Sequence, residues 1–151
     1  MNQKMKKYIY KTLVLLTIML ASCESYLIHG DLDGFWQVTS IENKQSGDIT
    51  KCEGDIYYSF QRDLVLISYV SPDIPTGQMK ENHIAYFTYD NDTITMTDFR
   101  IYLDREGKQT PLSKLEKFGM YEMFNTFYVE KLDNKNLILN SEKTRIVFRK
   151  Y

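Results

Sequence analysis

Between residues 34 and 150, short stretches of alternating apolar and polar residues recur, each interrupted by a polar turn, and this pattern restricts the chain more than any other feature. A period of two puts successive side chains on opposite faces of an extended strand, so each stretch offers one face to a core and one to water. Residues 34–41 open the series and the polar stretch 42–51 follows as a loop. Residues 56–60 and 64–70 flank the turn Gln61-Arg62-Asp63 and read as a hairpin. Residues 83–89 and 93–99 flank Asp90-Asn91-Asp92, and residues 100–103 either prolong that strand or begin another. Three more stretches, 126–132, 136–140 and 144–150, are joined by Asp133-Asn134-Lys135 and Ser141-Glu142-Lys143. Pro72, Pro75 and Gly77 keep residues 71–77 out of any central strand. One short helix is predicted near residues 110–118, where Leu112, Leu115 and Phe118 fall three apart and Gly119 supplies the stop.

About eight strands in sequential hairpin order predict an all-β fold, most simply an up-and-down β-barrel with one short helix, since closure removes exposed sheet edges. A small β-sandwich or an OB-like barrel is the structural alternative. The 12 tyrosines and 8 phenylalanines agree with a strand-rich chain.

The first residues carry a different pattern. Lys4, Lys6, Lys7 and Lys11 precede a ten-residue apolar run from Thr12 to Ala21, then Ser22-Cys23. Basic, apolar and small-residue regions in that order form a secretory signal peptide, and ten apolar residues are half of what a bilayer-spanning helix needs. Leu20-Ala21-Ser22-Cys23 resembles the lipobox of bacterial lipoproteins. The resemblance implies removal of residues 1–22, lipid attachment at Cys23, and a home in the outer membrane or cell envelope, periplasmic or surface-exposed. Residues 23–31 then read as a tether of about 25 Å, and residues 32–151 as the barrel domain. Without the four leader lysines the net charge falls from −1 to −5, so no nucleic-acid partner is expected. Cys52, the chain's other cysteine, has Glu53 beside it, and an acid raises a thiol pKa, so it reads as inert.

Asp31-Leu32-Asp33-Gly34-Phe35-Trp36 at the opening of the first strand resembles the Gly-x-Trp signature of lipocalins and related calycin barrels. In that superfamily a basic residue near the last strand packs over the tryptophan at the barrel's closed end. The resemblance therefore implies a closure set of Gly34, Trp36 and Arg149, with Arg145 as the alternative cation. It covers residues 32–151 and lies nearest the uncharacterised lipocalin-like lipoproteins. The disulfides and long helix of the transport lipocalins are missing.

Chemistry-bearing motifs are sparse. His29 and His83 stand apart, no Gly-x-Ser-x-Gly elbow occurs, and the seven glycines build no phosphate cradle. Zinc needs three or four clustered ligands, and Asp90-Asn91-Asp92 lacks the calcium-loop pattern and reads as a turn. No metal, cofactor or catalytic residue is expected, a dispersed carboxylate pair being the remaining enzymatic alternative. Thr93 lies in an Asp-Thr-apolar triplet that resembles a bacterial O-glycosylation site.

A cavity is the feature left to carry function. An eight-stranded barrel is either filled by side chains or holds one small ligand. The candidate lining is Tyr58, Phe60, Ile84, Tyr86, Ile94, Met96, Phe127 and Val129. Two functions follow: a membrane-anchored, non-catalytic binder of a small apolar or amphipathic ligand or envelope component, and a filled barrel that meets an envelope protein partner. A contiguous patch of Tyr69, Met120, Tyr121 and Met123 would favour the second.

Overall fold

The computed structural model describes residues 27–70 and 81–151. The leader, Cys23 and the proline-containing segment 71–80 lie outside the described residues.

The strands are β1 Gly34–Asn43, β2 Ile49–Lys51, β3 Ile56–Gln61, β4 Leu64–Tyr69, β5 Glu81–Asp90, β6 Thr93–Ile101, β7 Asn125–Leu132, β8 Asn136–Asn140 and β9 Thr144–Lys150. A 3-10 turn, Gly30–Leu32, precedes β1, and the helix α1, Leu112–Leu115, runs on into a 3-10 turn, Glu116–Phe118. From β3 onward every strand pairs antiparallel with the next. β1 pairs with both β3 and β9, which closes an eight-stranded barrel and leaves β2 as an extra strand on the end of β1.

Local chemistry sets the turns. Asn91 and Asp92 take φ of 47° and 58°, the left-handed pair that a two-residue hairpin needs and that Asn and Asp tolerate. At the β7–β8 turn the Asp133 carboxylate accepts the backbone N–H groups of Lys135 and Asn136, each at 2.8 Å, and these bonds pull its pKa down to about 2. Register shifts in β1, β5–β6 and β7–β8 bend the strands around the barrel.

The core is aromatic. Trp36, Tyr58, Phe60, Phe99, Phe118, Phe127 and Phe148 are fully buried. Tyr58 meets Phe148 edge-on with centroids 5.1 Å apart, and Phe60 meets Phe87 likewise at 5.2 Å. One end of the barrel carries the tight turns after β3, β5 and β7, together with Gly30–Leu32; the other carries the longer connections and α1.

Four expectations change. Ile84 and Tyr86 do not face the interior: Tyr86 is 51% exposed, Ile84 pairs across the outer wall with Leu66, and the inward set of β5 is His83, Ala85 and Phe87. Both phases of this segment are apolar, so alternation alone could not choose between them, and an error of one residue exchanges the faces. The cation over Trp36 is Lys150, not Arg149 or Arg145, because Phe148 points inward and only even-numbered β9 residues share its face. The 42–51 loop contains β2, whose three residues are all exposed and so show no alternation. The tether expected through Asp31 ends earlier, since His29 already packs 5.1 Å from Phe87.

Candidate functional site

At the closed end, Leu32 is fully buried in the core and its carbonyl accepts the indole Nε1–H of Trp36 at 2.8 Å. Lys150 Nζ lies 4.2 Å from the Trp36 ring centroid and donates to the carbonyls of Asp31 and Asp33. Burial pushes the Lys150 pKa down, while Asp31 and Asp33 oppose the shift. Gly34 has φ of 122°, and a Cβ there would come 3.0 Å from the Lys150 ammonium. Every contact here is used to close the barrel. Arg149 instead points outward and donates to Gln37, and Arg145 pairs with Glu130 at 2.8 Å.

At the opposite end, α1 and its 3-10 extension lie over the core. Leu115, Phe118 and Met120 are fully buried, and the Tyr58 hydroxyl donates to the Phe118 carbonyl at 2.6 Å. His83 is buried against Phe118, with Nδ1 3.0 Å from the Thr110 hydroxyl and Nε2 3.1 Å from Glu81. Lys117 completes the group by pairing with Glu81. His83 thus joins Thr110, just before α1, to Glu81 on its own strand, and through Glu81 to Lys117 on the lid. Cys52 is half-buried, and burial, then Asp55, raise its thiol pKa to about 11, so it carries almost no thiolate at neutral pH. Among the described residues no group of three or more His, Cys, Asp or Glu side chains is arranged to hold a metal.

Six of the predicted lining residues, Tyr58, Phe60, Ile94, Met96, Phe127 and Val129, do come together in one continuous buried cluster with Trp36, Phe87 and Phe148. The proposed partner patch does not form: Met120 is in the core, and Tyr69 and Met123 pack partly against it.

A groove of mixed chemistry lies outside the lumen, on the rim of the lidded end. It encloses about 590 Å³ between the segment leading into β7 and the β8–β9 hairpin. Phe124 and Tyr128 line it while remaining 61% and 58% exposed. Glu122 and Lys143 pair across it at 2.6 Å, and Lys44 reaches Asn140 and the Ser141 carbonyl at 2.8 and 2.7 Å. Aromatic faces beside fixed polar groups suit an amphipathic molecule, with rings for its apolar part and the amide and charges for its polar part. Nothing in the sequence marks this groove, because three segments distant in sequence meet there, and only the exposure of two aromatics betrays it.

The match to the lipocalin-like domain family covers residues 18–151. The chain belongs to that family. No curated protein matches it. Among solved structures, a lipocalin-like protein from Bacteroides uniformis ATCC 8492 is similar at 24% identity and a TM-score of 0.59, covering 81% of this chain and 100% of that one. An uncharacterized protein from Bacteroides eggerthii DSM 20697 is similar at 27% identity and a TM-score of 0.60, covering 80% and 100%. The lipocalin-like fold commonly binds ligands without catalysis.

Proposed function

We propose that this lipocalin-like protein is a membrane-anchored, non-catalytic lipoprotein that binds a small amphipathic molecule or envelope component at its rim rather than in its lumen. The observation that carries the reading is the contrast between the two places. Aromatic side chains interlock along the barrel axis beneath a lid fastened by Tyr58, whereas Phe124 and Tyr128 stand exposed over a groove with fixed polar groups. The lipobox-like run ending at Cys23 supports the anchor.

Native mass spectrometry of the mature protein, taken from its own membrane in mild detergent, tests both halves. The reading expects an acylated Cys23 and a further non-covalent mass, retained by the natural protein and lost in a Phe124→Ala/Tyr128→Ala variant. A non-covalent mass that the variant retains in full would overturn the rim groove as the binding site.

A further inference from the structure

The two walls of the barrel differ in kind. From Tyr57 to Gln61, from Leu64 to Ser68 and from Asn82 to Thr88, no outward strand position of β3, β4 or β5 bears a charge. On the opposite wall the outward positions of β7 and β9 include Glu130, Arg145 and Arg149. The uncharged wall is also apolar: Leu64 faces Tyr86 across the β4–β5 ladder and Leu66 faces Ile84.

Two surface grooves join along this wall. One, of about 880 Å³, runs beside Leu27, Ile28 and Phe35; the other, of about 550 Å³, lies among Leu66, Ile84 and Tyr102. They share Ser59, Gln61 and Arg62 on and beside β3, so the surface is continuous. Leu27, Ile28 and Tyr86 are each more than half exposed. Beside them Phe35, Leu66 and Ile84 are only partly covered, so the wall offers solvent a run of apolar side chains.

The chain itself points to the occupant. Leu27, the first described residue, sits on this wall only four residues after Cys23. Four extended residues reach at most about 14 Å. A diacylglyceryl group on Cys23 would thus hold the wall within that distance of a bilayer, and contact with lipid becomes intramolecular, so weak apolar contacts suffice. Tyrosines set among leucine and isoleucine suit the depth of the headgroups. The closed-end turns suit lipid less well, since the carboxylates of Asp31, Asp63, Asp90, Asp92 and Asp133 outnumber the cations Arg62, Lys135 and Lys150 there.

We propose that the β3–β5 wall of the anchored protein lies against the lipid surface, leaving the charged wall facing water. This rests on the lipoprotein reading above.

The test uses the full precursor, processed in a lipoprotein-competent bacterium and reconstituted in vesicles of phosphatidylethanolamine and phosphatidylglycerol. In a Cys52→Ser background, a nitroxide is attached at position 86 through Tyr86→Cys or at position 131 through Lys131→Cys, an exposed site of β7 outside the rim groove, and collisions with oxygen and with a water-soluble nickel chelate are measured. The expected oxygen-to-nickel ratio is several-fold higher at position 86 than at position 131. Equal ratios on protein whose intact mass shows acylated Cys23 overturn the wall contact and leave the anchor standing. A missing acyl mass overturns the anchor, and the wall contact with it. Strong dipolar coupling between labels at position 86, unchanged on dilution with lipid, assigns the wall to a second copy and overturns the lipid contact.

Discussion

Lys150 Nζ stands 4.2 Å from the ring centroid of Trp36 and donates at 2.9 and 2.6 Å to the carbonyls of Asp31 and Asp33. The last strand thereby clamps the first strand and the turn before it, closing the barrel where its two ends meet. Lys150→Ala removes the cation–π contact and leaves two carbonyls to water, for an expected loss of about 2 kcal/mol. Arg145→Ala, on the outer face of the same strand, loses only its solvent-exposed pair with Glu130 and should cost less than about 1 kcal/mol. Trp36 is the chain's one tryptophan, so a urea titration followed by its fluorescence reports both. Equal losses would remove the clamp.

Much of this fold is visible in residue order. The bounds of β8 and β9 coincide with the alternating stretches 136–140 and 144–150 because polar turns flank both. Phase is harder than position. In β5, Ile84 and Tyr86 are as apolar as Ala85 and Phe87, and the uncharged outer wall, which itself calls for an external contact, blurs the inward signal. Arg149 resembles the expected cation better than Lys150 does, yet parity with Phe148 decides which of them reaches Trp36. The rim groove leaves no linear trace, since its partners come from residues 44, 121–128 and 140–144.

The lid depends on one buried hydroxyl. Tyr58→Phe keeps the ring against Phe148 but deprives the Phe118 carbonyl of its 2.6 Å donor. A buried acceptor left without a partner costs about 1–3 kcal/mol, so thermal unfolding should shift down by several degrees. Hydrogen exchange should rise first in residues 112–120, where the lid is released. An unchanged exchange pattern there would mean that side-chain packing alone holds α1.

Gly119 ends the lid at φ of 83°, and a Cβ at this position would lie 2.8 Å from Ile146 Cδ1. Gly119→Ala should cost about 2–4 kcal/mol, from the left-handed backbone and the overpacked contact together. Ile146→Val deletes the clashing methyl. In that background the same glycine change should cost about 1 kcal/mol less. Additive losses in the double-mutant cycle would assign the whole effect to the backbone.

His83 and Glu81 give the lid a two-stage response to acid. A neutral His83 satisfies both partners when Nε2–H donates to Glu81 and Nδ1 accepts from the Thr110 hydroxyl. Burial pushes its pKa below 6.5; the Glu81 carboxylate opposes this shift, and Lys117 and Lys114 add to it. Between 6.5 and that lowered value the unfolded chain binds more protons than the folded one, so stability drops as the pH falls below 6.5. Glu81 acts in a lower window. Burial disfavours its charge, but hydrogen bonds from Lys117 and His83 outweigh that and hold its pKa below 4.5, so its contribution is present above 4.5 and lost as the pH falls through the lowered value. Urea midpoints measured from pH 8 down to pH 3 should therefore fall in two stages, and His83→Gln should flatten the upper one while keeping the lower. A wild-type midpoint that holds level from pH 8 to pH 5 would show that His83 protonates on the folded protein without strain, and the buried histidine would then have no part in acid sensitivity.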